Sequence, residues 1–559
     1  MIIGLDMGGT HIDGVIIKDG KIINKVKSII NPDNLFDSIW TTLKILIKKI
    51  DKSEIERINL STTISTNAII ENKTSPVGMI IQAGPGLNPD FLNCGEENIF
   101  ISGYVNHRGE LIQDLDKREI KDAKKQFKEN NIQSCAIVTK FSIRNPEHEI
   151  QIKNFLERDY NTITMGHTIS GQLNFPRRVY SSYLNSAVHD TFMNFSQNIK
   201  KSLKKEGVDA PLFILKADGG TMDIDTAEER PIETILSGPA ASFMGINAML
   251  QTEEDGILLD IGGTTTDIFF LADGVPLFEP SGIKIDNYKT LIRSIYSTSI
   301  GLGGDSFIEV KNNQIKIGPE RKGYPIAFGG NYPTPTDAMV VLELITEGDQ
   351  DQAYKAMESL GKEINLSPKE ISEEILNTMG DIIKNKIDQT LHKINTHPVY
   401  TIEELLHGKK VNPKLIHIIG GPAKILAPIL ENKFKLPTLY PRDYHIANAI
   451  GAALSKPTIE INMIVDTERQ ILSVPELEIY EKVNKNFELE DARQRSLNLI
   501  NDAGSKIGNY EVNLEGEIIE ENSFNMVKGL FTSGKNIRVK TQIKPGLIYP
   551  LRSDQNNES

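Results

Sequence analysis

Two segments of the chain, 254 residues apart, repeat one pattern of chemically active residues. In each, an apolar run ends in aspartate, one further residue, two glycines and a threonine, at Asp6 to Thr10 and again at Asp260 to Thr264. We interpret each as a buried strand that turns tightly into a second strand, with glycines that let the backbone approach a phosphate. Backbone amides and the threonine hydroxyl would face the anion, whereas the aspartate would need a divalent cation between itself and the phosphate. The pattern therefore predicts phosphate binding with magnesium, at Asp6 and Asp260.

Either segment alone would also fit an ordinary hairpin with a tight turn, which needs no ligand. The two segments, however, align residue for residue, and each carries a further aspartate at the same distance, Asp13 and Asp267. A chance hairpin would not reproduce that register. We interpret the pair as two related halves of one nucleotide site, in which Asp13 and Asp267 brace the hairpins.

Length and composition restrict the class of protein. A chain of 559 residues has room for three or four domains. Its formal net charge of −13 argues against nucleic acid as a partner, because such binding depends on Lys and Arg. Two cysteines, Cys94 and Cys135, allow no disulfide framework and favour the cytoplasm. We expect no membrane association, because the sequence opens in a strand and no apolar run approaches the ~20 residues that cross a bilayer.

The rest of the sequence follows the strand and helix pattern of a mixed α/β protein. Between residues 76 and 175, apolar strands alternate with polar helices, which predicts a small insert with a parallel sheet. A long helix is predicted from Asn174 to Glu206, and glycine turns follow strands at Gly219-Gly220 and Gly420-Gly421. The last 99 residues contain strands and one helix around 487 to 505, without a motif that suggests chemistry.

The order of the glycine motifs resembles the actin, sugar-kinase and Hsp70 ATPase superfamily. The motifs are the two Asp-x-Gly-Gly-Thr segments, then Gly-Gly-Asp at 303 to 305, then Gly-Gly-Pro at 420 to 422. The resemblance implies an α/β fold with two ribonuclease-H-like lobes around a nucleotide cleft, a small α/β insert and a C-terminal accessory domain. It also implies that Gly303, Gly304 and Asp305 lie near the phosphates or ribose, and that Gly420, Gly421 and Pro422 line the adenosine side.

Within that superfamily, the finer similarity is to the hydantoinase and 5-oxoprolinase family. It is carried by STTISTNAIIE at 61 to 71, FSIRNPEHE at 141 to 149, KADGGTMD at 216 to 223, ILSGPAAS at 235 to 242 and GGNYPTPTDA at 329 to 338. The sequence departs from the family pattern at three places. His11 and Ile12 replace an aromatic residue and a threonine, Asp305 replaces a smaller residue, and the loop before residue 329 lacks the usual cysteine. The resemblance implies an N-terminal lobe with its insert at 1–175, a hydantoinase A lobe at 176–455 and an accessory domain at 456–559.

The implied activity is ATP-dependent hydrolysis of a cyclic amide such as a hydantoin or 5-oxoproline. The ring carbonyl would attack the γ-phosphate, and water would open the activated product, so catalysis would consist mostly of positioning and charge neutralisation. The predicted residues are Asp6 and Asp260 for catalysis and Mg²⁺; Thr63 and Asn67 for catalysis; Gly8, Gly9, Thr10, Gly262, Gly263, Thr264, Gly303, Gly304, Asp305, Gly420, Gly421 and Pro422 for ATP; and Asp218, Arg178 and His11 for substrate.

Structural roles compete with several of these assignments. Asp218 would also suit a turn, Arg178 an exposed helix position, and His11 a polar site beside a turn, while Ser65 or Thr66 would suit a helix cap. Alternative functions are a subunit of an ATP-dependent ketone carboxylase and an actin-like or chaperone-like ATPase acting on a protein. A second subunit of hydantoinase B type and a homo-oligomer are both compatible with the sequence. A sugar kinase is less favoured, and no GxSxG, HExxH or Walker-type motif is present.

Overall fold

The computed structural model describes residues 1–8, 11–31, 34–279, 281–396, 410–507, 514–528 and 530–552. The chain forms two compact units. Unit 1 comprises Met1–Gly238, Ser281–Ser294 and Ala452–Ile548, and unit 2 comprises Pro239–Pro280, Ile295–Gly451 and Tyr549–Ser559. In the described ranges, no helix has both the length and the hydropathy needed to cross a bilayer.

The strands are numbered in chain order. Those before residue 230 are β1 (Ile2–Met7), β2 (His11–Lys18), β3 (Lys21–Ile29), β4 (Arg57–Thr62), β5 (Val77–Gln82), β6 (Glu97–Phe100), β7 (Tyr104–Val105), β8 (Leu111–Gln113), β9 (Ser134–Thr139), β10 (Thr162–Met165), β11 (Leu212–Leu215) and β12 (Thr221–Asp223). Then come β13 (Gly256–Ile261), β14 (Thr266–Ala272), β15 (Val275–Pro276), β16 (Lys284–Ile285), β17 (Tyr288–Lys289), β18 (Ser297–Ile300), β19 (Ile308–Lys311), β20 (Gln314–Ile317), β21 (Leu415–Ile419) and β22 (Thr438–Leu439). The last are β23 (Glu460–Asp466), β24 (Ile471–Val474), β25 (Ile479–Lys482), β26 (Gly516–Lys528) and β27 (Phe531–Ile543).

The α-helices are numbered in the same way. They are α1 (Leu35–Leu46), α2 (Ile64–Ile70), α3 (Lys117–Glu129), α4 (Glu147–Leu156), α5 (Gly166–Ile169), α6 (Phe175–Glu206), α7 (Ile224–Glu229), α8 (Ser237–Met249), α9 (Pro335–Val341), α10 (Gln350–Ile364), α11 (Pro368–Thr396), α12 (Ala423–Phe434), α13 (Ala447–Leu454) and α14 (Leu489–Ile507). Short 3₁₀ turns lie at Lys52–Glu54, Pro89–Leu92, Pro231–Thr234, Ile326–Phe328, Tyr444–Ile446 and Pro475–Leu477.

A mixed six-stranded sheet forms the first part of unit 1, in the order β12-β11-β4-β1-β2-β3. Strand β1 pairs antiparallel with β2 and parallel with β4, and β4 pairs parallel with β11. Apolar residues such as Leu5 and Leu60 meet Leu43 of α1 and Phe192 of α6 in one core. The uninterrupted apolar run of β1 fits this place, because all six residues of the strand are buried.

The predicted α/β insert is confirmed as a four-stranded parallel sheet in the order β10-β9-β5-β6. The long helix that follows is also confirmed. It begins at Phe175 because the Asn174 side chain accepts a hydrogen bond from the Arg177 amide, and it ends at Gly207, whose φ of 65° is left-handed. Unit 1 also contains an antiparallel sheet of order β25-β24-β23-β27-β26, which packs against α14 through residues such as Val465 and Ile500.

Unit 2 is built on a second mixed sheet, in the order β15-β14-β13-β21-β22, with β18 added along β14. Strand β13 pairs antiparallel with β14 and parallel with β21, which is the same pairing that β1 makes with β2 and β4. Helix α11 presents an apolar stripe with a spacing of four residues to this core, at Ile371, Ile375, Met379, Ile383 and Ile387.

Helices α8 and α13 pack closely against each other at Gly245 and Gly451, two residues of unit 2. A Cβ atom added to Gly245 would lie 2.1 Å from the Ala447 carbonyl oxygen, and one added to Gly451 would lie 2.1 Å from that of Ala241. Both backbones therefore need glycine for this approach. The mixed α/β class is confirmed, whereas the domain limits at residues 175 and 455 stay predictions.

Candidate functional site

The first hairpin, β1 and β2, closes through the hydrogen bond from the Gly8 amide to the His11 carbonyl, at 3.0 Å. Asp6 lies at the end of β1, is 7% exposed, and stands opposite Asp13 on β2 and beside Ser61 on β4. The strand pairing therefore holds a carboxylate at the start of the turn. Gly9 and Thr10, predicted to bind phosphate, lie outside the described residues.

Side chains at the end of β4 lie next to this hairpin. The Thr63 backbone amide donates to the Met7 carbonyl at 3.2 Å. The side-chain amide of Asn67 donates through Nδ2 to the Thr63 hydroxyl, also at 3.2 Å. Thr63 also approaches Gly238 at the start of α8, because a Cβ added to Gly238 would lie 3.0 Å from the Thr63 Cγ2. The structure thus brings Asp6, Thr63 and Asn67 together in unit 1, with Gly238 beside them.

The competing assignment of Ser65 or Thr66 as the cap of α2 is wrong. Both residues lie within α2, whose N-cap is Thr63, and the Thr62 hydroxyl accepts the hydrogen bond from the Ile64 amide. The Thr66 hydroxyl instead accepts from the Leu236 amide at 3.0 Å. Leu236 has a left-handed φ of 63°, an unfavourable conformation for leucine, so this contact helps to hold the strained turn before α8.

The second hairpin, β13 and β14, repeats the geometry of the first. The Gly262 amide donates to the Thr265 carbonyl at 2.9 Å, and Asp260 stands opposite Asp267. The Ser242 hydroxyl of α8 donates to Asp260 Oδ2 at 2.6 Å. Sequence reasoning missed this partner of Asp260, although Ser242 ends the ILSGPAAS motif. Gly263 and Thr264 are exposed at the tip of the hairpin.

The Gly-Gly-Asp motif lies directly against this hairpin. The Gly304 amide donates to the Gly262 carbonyl at 3.0 Å, and the Asp305 amide donates to the Gly263 carbonyl at 2.7 Å. A Cβ added to Gly303 would lie 2.4 Å from the Gly263 carbonyl carbon, so only glycine allows this approach. The sequence predicted these residues for one site, and the structure brings them together in unit 2.

The Gly-Gly-Pro motif reaches the same hairpin from β21. Gly420 has a φ of 94°, and a Cβ there would lie 2.1 Å from the Ile261 carbonyl oxygen and 2.9 Å from Asp260 Oδ1. A Cβ on Gly304 would lie 3.6 Å from the Pro422 Cγ. Gly421, in contrast, has no atom within 4 Å of an added Cβ. One surface of unit 2 therefore carries all three predicted motifs.

Two charges near this surface have unusual environments. Burial raises the pKa of Asp267 to about 6, with the Ser299 hydroxyl opposing the shift and the Asp260 charge adding to it. Burial also raises the pKa of Asp305, against the effect of Arg321, whose Nη2 lies 2.9 Å from Asp305 Oδ2. Sequence reasoning missed Arg321, which lies in a glycine- and proline-rich loop without a motif.

The predicted substrate residues have three different surroundings. His11 is exposed on β2, next to the first hairpin. Asp218 is 5% exposed and lines a cavity in unit 1 together with Lys216 and Glu233. Arg178 is 1% exposed, so its alternative assignment as an exposed helix residue is wrong. Its guanidinium donates to the carbonyls of Gln172, at 2.9 Å, and Thr139, at 3.2 Å, which ties α6 to the insert.

Each hairpin offers a strand-end carboxylate of the kind that suits magnesium, which prefers oxygen ligands. Among the residues that the structure describes, no group of three or more His, Cys, Asp or Glu side chains is arranged to hold a metal. Magnesium does not require such a cage, because it is commonly held by one or two carboxylates, water and substrate phosphates. Asp6 and Asp260 therefore fit this ion.

The fold and the paired hairpins agree with the comparisons with known proteins. The model of the family described as Hydantoinase/oxoprolinase matches residues 178–461, and the model of its N-terminal region matches residues 2–160. The chain belongs to the hydantoinase/oxoprolinase family.

Two curated relatives illustrate the extent of the similarity. An uncharacterized protein of Methanocaldococcus jannaschii is 24% identical over 506 residues, which cover 81% of this chain and 72% of the relative. Caprolactamase subunit alpha of Pseudomonas jessenii is 22% identical over 382 residues, which cover 62% of this chain and 55% of the relative. The chain thus spans little more than half of the caprolactamase subunit.

Two solved structures share the fold along nearly the whole chain. Nucleotide-free acetone carboxylase has a TM-score of 0.72 at 13% identity and covers 100% of this chain and 89% of its own. The ATP-dependent caprolactamase from Pseudomonas jessenii has a TM-score of 0.72 at 17% identity, with 97% and 87% covered. The predicted α/β fold is therefore confirmed as the fold of these two structures.

Proposed function

We propose that this protein uses ATP to open a cyclic amide, and that each of the two hairpins is a phosphate-binding turn. The proposal rests on three glycines, Gly8, Gly262 and Gly421, which neither their backbone conformation nor a protein neighbour requires. None of the three has a left-handed φ. A Cβ atom added to Gly8 would lie 3.6 Å from the His11 carbonyl oxygen, and one added to Gly262 would lie 3.4 Å from that of Thr265. A Cβ atom added to Gly421 would have no neighbour within 4 Å. These backbones would accept a side chain, so a ligand that approaches closely explains why glycine stands there.

The roles of the other residues follow from their positions. We assign Asp6 and Asp260 to Mg²⁺, which would neutralise phosphate charge, and Gly8, Gly9, Thr10, Gly262, Gly263 and Thr264 to the phosphates. Gly303, Gly304, Asp305, Gly420, Gly421 and Pro422 are assigned to the rest of the nucleotide. Thr63 and Asn67 would orient the reacting group beside the first hairpin, and His11 is close enough in sequence to assist.

The chemistry requires only positioning and charge neutralisation from these residues. The amide oxygen of the ring forms a bond to the γ-phosphorus, and the bond from that phosphorus to the bridging oxygen breaks, so that ADP leaves. One water adds to the activated ring carbon and the C–N bond breaks, which frees the ring nitrogen (an amine from a lactam, a ureido group from a hydantoin) and leaves an acyl phosphate. A second water hydrolyses the acyl phosphate to phosphate and the carboxylate. The fold of the ATP-dependent caprolactamase and the family membership support this reaction class.

The test is phosphate release from ATP in the presence of hydantoin, 5-oxoproline and caprolactam. We expect at least one cyclic amide to stimulate release, and Asp6→Asn and Asp260→Asn to lower the stimulated rate by roughly 100-fold. Asp388→Asn is the matched control, because Asp388 is 53% exposed on α11 and pairs only with Lys384 among its described ion pairs. No stimulation by any cyclic amide, with or without a copurifying protein, would refute the proposed reaction.

A subunit of an ATP-dependent ketone carboxylase is the second candidate, because acetone carboxylase shares the fold over the entire chain. Phosphate release that requires acetone or acetophenone with bicarbonate, and a partner chain, would favour it. A partner subunit, which caprolactamase subunit alpha has by its name, is also proposed here. A cytoplasmic location and a homo-oligomeric state stay predictions. Cys94 and Cys135 are both free thiols, which is compatible with that location.

A further inference from the structure

Four arginines of unit 1 gather where loops of the α/β insert meet the antiparallel sheet. Two come from loops of the insert, Arg108 after β7 and Arg144 after β9. The other two come from the sheet, Arg469 in the turn after β23 and Arg538 on β27. Burial lowers the pKa of Arg144, and the charges of the other three arginines add to the shift, against the effect of Asp466. Arg144 therefore lies near three like charges.

The turn at Gly109 holds two of these arginines side by side. A Cβ atom added to Gly109 would lie 3.1 Å from the Arg144 Cβ and 2.5 Å from the Arg469 Nη1. The same Nη1 donates a hydrogen bond to the Arg108 carbonyl. The loop of the insert and the turn after β23 are thus joined at this point, and Arg469 is held by a backbone acceptor.

The strand register places Arg538 on the same face of the sheet as Asp466. Asp466 of β23 stands opposite Asn536 of β27, and Arg538 stands opposite Ile464. Side chains two residues apart on a strand lie on one face, so Asp466 and Arg538 are diagonal neighbours. Val465 lies on the other face, in the core with α14. Arg538 is therefore turned away from that core.

Two carboxylates compensate part of the positive charge. Asp466 is 5% exposed, accepts from the Arg469 backbone amide at 2.9 Å, and lies 3.4 Å from the Arg108 Nη2. Glu468 Oε2 lies 2.8 Å from the same Nη2. Both carboxylates thus engage Arg108. Four positive and two negative side chains leave a net charge of +2 in this group.

Arg144 and Arg538 are the two arginines that remain open to a ligand. Neither guanidinium forms a hydrogen bond or an ion pair with any residue that the structure describes, and only its Nε is buried. Both side chains are partly exposed. Their Nη groups therefore reach solvent unpaired, and an anion would accept hydrogen bonds from them without displacing a protein partner.

We propose that Arg144 and Arg538 form a binding site for a doubly charged tetrahedral oxyanion, of which phosphate is the simplest. The planar guanidinium group presents its N–H donors in a fixed fork that matches the oxygens of such an anion. A dianion would offset the whole net charge of the group, whereas a monovalent anion would leave one positive charge. The site does not depend on the proposed function, because none of its residues lies in a hairpin that carries an Asp-x-Gly-Gly-Thr motif.

The test is calorimetric titration of the full chain with sodium phosphate at pH 8, with sulfate as a second dianion and acetate as a monovalent comparison. We expect both dianions to bind about tenfold tighter than acetate. Arg144→Gln and Arg538→Gln should each weaken phosphate binding by about tenfold, because each removes charged donors. Arg118→Gln is the matched control, because Arg118 lies in the same insert, is 86% exposed and pairs with Asp116.

Thermal unfolding gives a second measurement on the same variants. Phosphate should raise the melting temperature of the wild type and of Arg118→Gln, because it binds the folded chain, but not that of Arg144→Gln or Arg538→Gln. If Arg144→Gln fails to fold, Arg538→Gln alone decides, because its side chain lies on a strand and forms no hydrogen bond or ion pair with a described residue.

Titration in the presence of a non-hydrolysable ATP analogue and Mg²⁺ separates the arginine site from the hairpins. Phosphate should bind equally well with and without the analogue. No binding of either dianion to the wild type, equal binding of acetate, unchanged binding in both glutamine variants, or loss of phosphate binding with the analogue would overturn the inference. Failure of the analogue itself to bind would refute only the nucleotide assignment of the hairpins.

Discussion

Gly303→Ala tests whether the Gly-Gly-Asp loop must lie directly against the second hairpin. The added methyl would meet three backbone atoms, the Gly263 carbonyl carbon at 2.4 Å and the carbonyl oxygens of Gly262 and Gly263 at 2.5 Å. Cβ atoms essentially never approach other atoms closer than 3.0 Å. Because backbone cannot rotate away as a side chain can, the loop must move by more than half an ångström.

The size of the effect follows from the hydrogen bonds on both sides of Gly303. The movement stretches the bonds from Gly304 to Gly262, at 3.0 Å, and from Asp305 to Gly263, at 2.7 Å. Each is worth about 0.5–1.5 kcal/mol, so their weakening together with the overlap should cost about 2 kcal/mol of local stability. A local loss of that size accelerates amide hydrogen exchange by about 30-fold.

The assay is hydrogen–deuterium exchange, measured by mass spectrometry on peptides that cover β13 and β14, together with calorimetric titration of ATP. Gly303→Ala should accelerate exchange in this hairpin and weaken ATP binding. Gly421→Ala should leave exchange unchanged, because its methyl meets no atom within 4 Å, yet weaken ATP binding if the nucleotide approaches there. Unchanged exchange in Gly303→Ala, or equal acceleration in both variants, would refute the reasoning.

Three further substitutions test the packing of buried groups. Burial lowers the pKa of His417 from 6.5 to about 4, so the contribution of His417 to stability should fall by about 2 kcal/mol between pH 8 and pH 5, measured by urea unfolding as the change in the difference between wild type and His417→Leu. Gly451→Ala should lower the melting temperature, because the methyl would lie 2.1 Å from the Ala241 carbonyl oxygen, and normal melting would contradict the close packing of α8 and α13. Arg178→Lys should cost about 2 kcal/mol or more, measured by thermal unfolding, because a single ammonium cannot reproduce the guanidinium contacts to Gln172 and Thr139.

The elements that sequence reasoning predicted well are those whose signals are local. The helix from Asn174 to Glu206 has an Asn cap at one end and glycine after the other, and the parallel insert shows apolar strands alternating with polar helices. The three glycine motifs of unit 2 were also expected together. Their order along the chain resembled a known superfamily, and close backbone approach demands glycine at Gly303 and Gly420.

The parts that sequence reasoning missed depend on contacts between distant residues. Nothing in the sequence around Arg321 shows that it meets Asp305, and nothing around Ser242 shows that it donates to Asp260. Arg178 looked compatible with an exposed helix position, because arginine is rarely buried, yet its donors reach backbone carbonyls. Pairings of this kind follow from how elements pack, which no local pattern encodes.

The two hairpins are equivalent in backbone geometry but not in the electrostatics of their second aspartates, and this difference yields a last prediction. Asp13 forms an ion pair with Lys27 of the adjacent strand, at 2.9 Å, whereas Asp267 faces the Ser299 hydroxyl and the Asp260 charge. Asp13→Asn should therefore cost up to about 1 kcal/mol, the usual value of a partly exposed ion pair.

Asp267→Asn should have the opposite sign. The pKa of Asp267 is about 6 in the folded protein and 3.8 in the unfolded chain, so folding favours the protonated form. That contribution is complete below pH 3.8 and is lost as the pH rises through 6, which makes the ionised carboxylate unfavourable by about 2–3 kcal/mol at pH 8. In metal-free buffer, the variant should be more stable than wild type at pH 8 and equal to it near pH 4. If urea unfolding gave the two variants the same sign at pH 8, the second aspartates would be braces of the same kind, and the asymmetry argued from Lys27 and Ser299 would be wrong.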